Sequence, residues 1–278
     1  MLYGKLIDLR NYCSFHLEKV ALNRGLLDGH SDYCKFIILA RGRSGSNFLR
    51  GLLNSHSRVI MFGELFRFYD SIGWEFPEYD RYLQSRNLIL LMQRDPCKFL
   101  ETKVFRKFRK GILAVGFKIF YYHAQDNPLK YVWTYLKNRK DLRIIHLKRK
   151  NTLRVILSLK KASKTNKWTN TTGEREEDFT VPLDYEECRQ AFIWAQEVKK
   201  KYDILFESHH KIDVIYEDLS KDYMSEMKRI QEFLGLPYEI VKPSTVKQSD
   251  QPLSEAILNY HDLKKKFEDT PWEVYFEE

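Results

Sequence analysis

The chain has 278 residues, 43% hydrophobic and 31% charged, enough apolar material for a sizeable core. The formal net charge of +9 suggests an anionic partner (a phosphorylated nucleotide, a nucleic acid or an acidic membrane surface) without separating these. Four scattered cysteines, Cys13, Cys34, Cys97 and Cys188, exclude zinc-type spacing and a disulfide scaffold, and no apolar run reaches the ~20 residues a membrane span needs.

In chain order, residues 1–34 read as an amphipathic helical segment, with Leu2, Leu6, Leu9, Val20, Leu22 and Leu26 set among charges. It is expected to pack on the single domain that follows at 35–278. The segment lacks the continuous apolar core of a signal peptide, so a cytoplasmic location is expected, and a basic amphipathic helix is compatible with peripheral membrane contact. In that setting the sequon Asn170-Thr171-Thr172 is a chance match.

Next comes Phe36-Ile37-Ile38-Leu39-Ala40, an unalternating apolar run suited to a central parallel strand covered on both faces. The loop Arg41-Gly42-Arg43-Ser44-Gly45-Ser46-Asn47 follows, and then Phe48, Leu49, Leu52 and Leu53 recur at helical spacing. Strand, tight polar loop and helix make a phosphate-binding βα unit. Its backbone N–H groups stand at the positive end of a helix, and its glycines admit a close anion. Further strands are predicted over 112–120, 143–147 and 212–216, and helices over 151–162, 185–205, 224–234 and 254–267. The alternation argues for an α/β fold, a P-loop-type parallel sheet flanked by helices in a single domain. Residues 64–110 are rich in aromatic and basic side chains, and 163–181 read as a mobile polar loop.

The loop lacks the Gly-Lys-Ser/Thr ending of a Walker A motif, which weakens a kinase or NTPase reading. It resembles the 5'-phosphosulfate-binding segment of sulfotransferases, with Gly42 in place of that family's proline and Asn47 in place of its last threonine. A second basic element follows the strand Arg143-Ile144-Ile145-His146-Leu147. Arg149 and Ser158 lie nine positions apart (158 − 149) and can meet if one ends the strand and the other lies about two helical turns on. Together they offer a charged fork and a hydroxyl to one phosphate. This resembles the 3'-phosphate segment of the family, in the interval of its bacterial carbohydrate branch, the Nod-factor and trehalose types. Lys150 is the reserve candidate. Val115-Gly116-Phe117-Lys118, Tyr216-Glu217-Asp218-Leu219, Phe233-Leu234-Gly235-Leu236 and the stretch from Lys247 to Asn259-Tyr260 resemble further landmarks. The Arg-Lys-Gly segment of the cytosolic hormone branch is missing, and Lys247 is the candidate to replace it.

The resemblance implies a PAPS-dependent sulfotransferase (3'-phosphoadenosine 5'-phosphosulfate as donor, adenosine 3',5'-bisphosphate as product), acting without metal on a carbohydrate or glycolipid hydroxyl. Arg43 is expected to stabilise charge on the leaving phosphate. Glu64, in Gly63-Glu64-Leu65 just after the short strand Val59-Ile60-Met61, is the first choice of general base. Lys118 is a candidate to touch the sulfate or the acceptor, His56 to touch the acceptor and to stand next in line as base, His123 is ambiguous, and His146 reads as a core residue. Phe62, Phe66, Phe68, Tyr69, Trp74, Phe76, Tyr79 and Tyr82 are weighed as an acceptor-stacking wall against ordinary core. The rival readings are a P-loop small-molecule kinase and a nucleic-acid-binding protein. The latter is opposed by dispersed rather than striped Lys and Arg.

Overall fold

The computed structural model describes residues 17–22, 24–168, 179–244 and 251–277. The expectations placed on residues 1–16, on the sequon and on Lys247 lie outside the described residues.

The chain forms an α/β single domain. Its strands are β1 (Gly29–His30), β2 (Cys34–Ala40), β3 (Val59–Phe62), β4 (Phe108–Arg109), β5 (Ala114–Phe120), β6 (Leu142–Lys148) and β7 (Lys211–Ile215). Five of them make one sheet, ordered β3-β5-β2-β6-β7, with every neighbouring pair parallel. β1 and β4 form a small antiparallel pair at its margin. Central β2 lies between β5 and β6, with Ile38 opposite both Lys118 and Ile145.

Strand alternation divides the core. Ile37, Leu39, Val115, Phe117, Ile119 and Ile144 point to one face, which also packs Val198 and Tyr202 of the long helix Tyr185–Leu205. Phe36, Ile38, Ala40, Met61, Ile145 and Leu147 point to the other, against the helices Ser46–Asn54 and Tyr223–Leu234. A third cluster joins Leu153, Ile156 and Leu157 to Phe192, Leu263 and Phe267. With both faces covered, the strands read as unbroken apolar runs.

Helix starts follow their side-chain chemistry. Asn151 caps Thr152–Thr165 by accepting from Arg154 N at 3.0 Å, and Asp184 caps Tyr185–Leu205 by accepting from Glu187 N at 2.8 Å. Ser46–Asn54 differs: its N-cap is Gly45, at φ 84°, and no side chain caps it.

Three expectations are corrected. Residues 24–34 hold a turn, β1 and the start of β2 rather than helix, because Gly29 and His30 pair with β4. The helix expected over 254–267 is two, Leu253–Ala256 and Tyr260–Lys266. Between them Ile257 is extended and bridges Val181, while the Asn259 amide bonds both Leu183 N (3.0 Å) and Leu183 O (2.9 Å). The helix expected to stop at residue 162 runs on to Thr165, so the described part of the expected loop begins later.

Candidate active site

A parallel sheet brings all its carboxyl ends to one edge, where ligands of such sheets bind. Residues 41–47 follow β2, Glu64 follows β3, His123 follows β5, and Arg149 follows β6. The sequence separates these residues by as many as 108 positions (149 − 41), and the topology gathers them.

The phosphate loop is tightly built. Ser44 is fully buried, and its hydroxyl donates to Arg41 O at 2.7 Å. Gly45 occupies the left-handed region, and a side chain there would run into the ring of Tyr216. Tyr216 in turn carries the Arg149 guanidinium 4.7 Å from its ring centroid.

Arg43 joins the loop to the second basic element. Its Nε donates to Ser158 Oγ at 2.8 Å, its Nη1 donates to the Trp168 carbonyl, and Arg149 Nη1 donates to the Arg43 carbonyl at 2.9 Å. Arg149 and Ser158 therefore converge on Arg43, and the two expected anion pockets adjoin. Lys150 turns away: its ammonium pairs with Asp218 Oδ1 at 3.2 Å on the surface.

The neighbourhood concentrates partly buried positive charge. Arg41 stacks over Trp194 (5.0 Å), and Lys199 donates to the Arg149 carbonyl at 3.2 Å. Burial lowers the pKa of Arg41, Arg149 and Lys199 alike, and nearby cations push the same way, Arg149 on Arg41 and Arg41 on Lys199. Arg41 Nη1 and Arg149 Nε are buried without a hydrogen-bond acceptor, the Glu217 carboxylate standing 3.8 Å from the latter. A buried donor left unmade is costly, and an anion bearing several oxygens fits such a set.

Beside the loop lies a second group. Lys118 is fully buried and has three acceptors around its ammonium: Asn47 Oδ1, Glu64 Oε1 at 3.3 Å and Glu75 Oε2 at 3.1 Å. Glu64 is 8% exposed, and its Oε2 faces His123 Nε2 (3.7 Å) and Arg67 Nε (3.9 Å). Phe120 N donates to His123 Nδ1 at 3.2 Å, which leaves the ring proton on Nε2, toward Glu64. Burial, aided by Lys118 and Arg67, pushes His123 down to about 3, so its ring is neutral near pH 7.

Several expected roles are corrected by this placement. His56 lies at the far end of its helix, before β3 begins. Its Nε2 bonds Pro237 O (3.0 Å) and its Nδ1 accepts from Arg58 N (3.1 Å), so both ring nitrogens are spent on the fold. Arg43, expected at the leaving phosphate, holds its guanidinium at Ser158 in this structure. Of the aromatic wall, Phe62, Phe66, Trp74 and Tyr79 are core, packed ring to ring, with 5.1 Å between the Phe62 and Trp74 centroids. Phe68 and Tyr69 are exposed.

His146 is buried as expected, between Tyr121 Oη (2.6 Å) and Asp203 Oδ1 (3.1 Å). With Asp203 and Asp213 it makes a cluster of metal-ligand type, but Lys148 bonds both carboxylates, at 3.0 and 2.9 Å, and Lys211 also pairs with Asp203 at 2.7 Å, so two lysines offset the two charges.

Sequence reasoning missed Glu75, Arg50, Trp194 and Tyr122. Glu75 falls in an irregular stretch just before the helix Pro77–Tyr82, with no periodicity or motif to mark it. Tyr122 had a weak signal, standing in the aromatic run that follows β5.

Comparisons with known proteins place the chain in a family. The model of the Sulfotransferase family matches residues 36–240, more than half of the chain, which therefore belongs to that family. Nodulation protein H of Rhizobium tropici is 29% identical over 247 residues, 87% of this chain and 92% of that protein. Nodulation protein H of Rhizobium meliloti (strain 1021) is 26% identical over 249 residues, 87% of this chain and 94% of that protein. A sulfotransferase from Alicyclobacillus acidocaldarius superposes with a TM-score of 0.47 at 14% identity, over 84% of this chain and 88% of that one. Family membership favours a sulfotransferase over the kinase and nucleic-acid readings. Among the described residues, no helix is long and apolar enough to cross a membrane.

Proposed function

We propose that this sulfotransferase takes its sulfuryl group from PAPS and passes it to a hydroxyl of a carbohydrate or glycolipid acceptor, without a metal. The observation that carries this reading is the convergence of Ser158 and Arg149 on Arg43, beside a glycine-capped helix start. A nucleotide phosphorylated at both its 3' and 5' positions offers one anion to each element. The buried, unsatisfied N–H groups of Arg41 and Arg149 fit such a ligand.

In the assignment of roles, residues 41–47 hold the 5'-phosphosulfate end, and Arg149 with Ser158 holds the 3'-phosphate. Bound donor supplies a sulfuryl group activated by a good phosphate leaving group. The bond from sulfur to the leaving phosphate oxygen breaks as the acceptor oxygen bonds to sulfur, and the hydroxyl proton passes to a base. Glu64 is that base: it is close to Lys118 and to the end of β3, and one of its oxygens faces the neutral His123. Lys118 supplies positive charge beside Asn47, where charge on the transferred oxygens and the leaving phosphate is to be offset.

The acceptor class is supported by the nodulation relatives and by the exposed Phe68, Tyr69 and Tyr122 near this edge, which offer faces for sugar stacking. The test is transfer of labelled sulfate from PAPS to a panel of oligosaccharides and glycolipids in the presence of a chelator. Wild-type protein is expected to label a carbohydrate product. Glu64→Gln is expected to lose turnover by about 10²–10⁴-fold while binding adenosine 3',5'-bisphosphate normally. Glu64→Gln turning over like wild type means the base lies elsewhere.

A further inference from the structure

Glu75 carries no role in the reading above, yet it is heavily engaged beside Glu64 and Lys118. Its Oε2 lies 3.1 Å from Lys118 Nζ and 3.2 Å from Arg50 Nε, its Oε1 accepts from Glu64 N at 3.2 Å, and its carbonyl accepts from Arg50 Nη1 at 2.6 Å. The chain bends sharply to allow this: Glu75 sits at φ 50°. Its side chain lies flat over Gly63, where any Cβ would collide with it. Trp74 O accepts from Gly63 N at 2.7 Å, and Gly63 O accepts from Lys118 N at 3.0 Å, so Glu75, Glu64 and Lys118 are mounted on one backbone frame. Burial alone would raise the Glu75 carboxyl, but Lys118 and Arg50 outweigh it and hold the group below the ordinary carboxylate range. Asp80 accepts from Glu75 N at 3.2 Å on the outer side.

An ammonium has three protons, and those of Lys118 face Asn47, Glu64 and Glu75. Take Glu75 away and the buried charge has one carboxylate left. It would then draw both Glu64 oxygens to itself, leaving neither free to accept a proton from the acceptor. We infer that Glu75 is a positioning residue for sulfuryl transfer: as a second carboxylate on Lys118 it holds the lysine for the phosphosulfate end and limits its claim on Glu64 to Oε1, so that Oε2, which faces His123 and Arg67 only at 3.7 and 3.9 Å, takes the acceptor's proton.

The inference rests on the reading of Glu64 as base, and the two are separable. The Glu64→Gln turnover assay judges that reading alone. For Glu75, kcat, the donor KM and the adenosine 3',5'-bisphosphate dissociation constant are measured on Glu75→Gln, Glu75→Asp, Lys118→Met and the double variant Glu75→Gln/Lys118→Met. Glu75→Gln is expected to lower kcat by on the order of tenfold with little change in bisphosphate binding, the mark of an interaction used in the transition state. Glu75→Asp, which keeps the charge, recovers most of the loss and keeps the test open should Glu75→Gln fold poorly. In the Lys118→Met background Glu75→Gln adds nothing, because the group it acts through is gone. Wild-type kcat in Glu75→Gln, an equal loss in Glu75→Asp and Glu75→Gln, or a full additional loss in the double variant each overturns the inference, whatever Glu64→Gln does.

Discussion

At Gly45 two physical demands meet in one residue: a left-handed backbone and room for the Tyr216 ring. They can be separated. Gly45→Ala faces both strain and collision, whereas Gly45→Ala in a Tyr216→Ala background keeps only the backbone cost, about 1–2 kcal/mol for an L residue in that region. Denaturant unfolding of the two pairs is expected to show a larger loss with Tyr216 present. Equal losses would mean that the ring yields and backbone strain is the whole effect. The histidines make a second prediction at this scale. Burial lowers His146 to about 4 and His123 to about 3, from 6.5 in the unfolded chain. The unfolded state therefore binds protons that the native state refuses. This stability is complete above pH 6.5 and drains as pH falls, by at most about 1.4 kcal/mol per pH unit for each histidine. Urea unfolding at pH 7, 6 and 5 should show the decline, to which His209, also lowered by burial, adds, and His146→Gln should flatten part of it. A flat profile between pH 7 and 5 would contradict the neutral, buried state of both rings.

Among the elements, those with a strong period were legible from residues alone. The apolar run at 36–40 lies within β2, and the long amphipathic pattern at 185–205 is one helix from Tyr185 to Leu205. What misled was local pattern overruled by distant partners. Residues 254–267 have helical spacing, but Val181 claims Ile257 for a bridge and Asn259 serves Leu183, so the helix breaks between them. The aromatic stretch after β3 was ambiguous because stacking walls and cores use the same residues. Enclosure of Phe62, Trp74 and Tyr79 by Phe99 and Met92 decides for core, and no spacing rule carries that information. The Trp74 indole donates to Leu83 O at 3.0 Å inside this cluster. Trp74→Ala is expected to cost roughly 3–5 kcal/mol of unfolding free energy, as for other large buried aromatics. A loss under about 1 kcal/mol would contradict its place at the centre of the packing.

At the scale of the whole molecule, a parallel sheet turns widely spaced residues into neighbours, and this sets how much of the candidate site was legible. The phosphate loop, Arg149 with Ser158, and Glu64 each stand just past a strand or on the helix after one, so strand-end reasoning found them. Glu75 and Arg50 were not found, because their value lies in a charge balance around buried Lys118 that exists only after folding. His56 was misplaced for a related reason: it follows the same helix as the loop, but at the opposite end. The account stands on one nucleotide being held at once by residues 41–47 and by Arg149 with Ser158. Calorimetric titration of wild type and Arg149→Ala with adenosine 3',5'-bisphosphate and with adenosine 5'-monophosphate tests it most directly. Removing one side of a buried charge pair costs roughly 2–5 kcal/mol, so the bisphosphate should lose at least about 30-fold in affinity while the monophosphate changes little. An equal loss for both ligands, or no binding of the bisphosphate by wild type, would contradict the account.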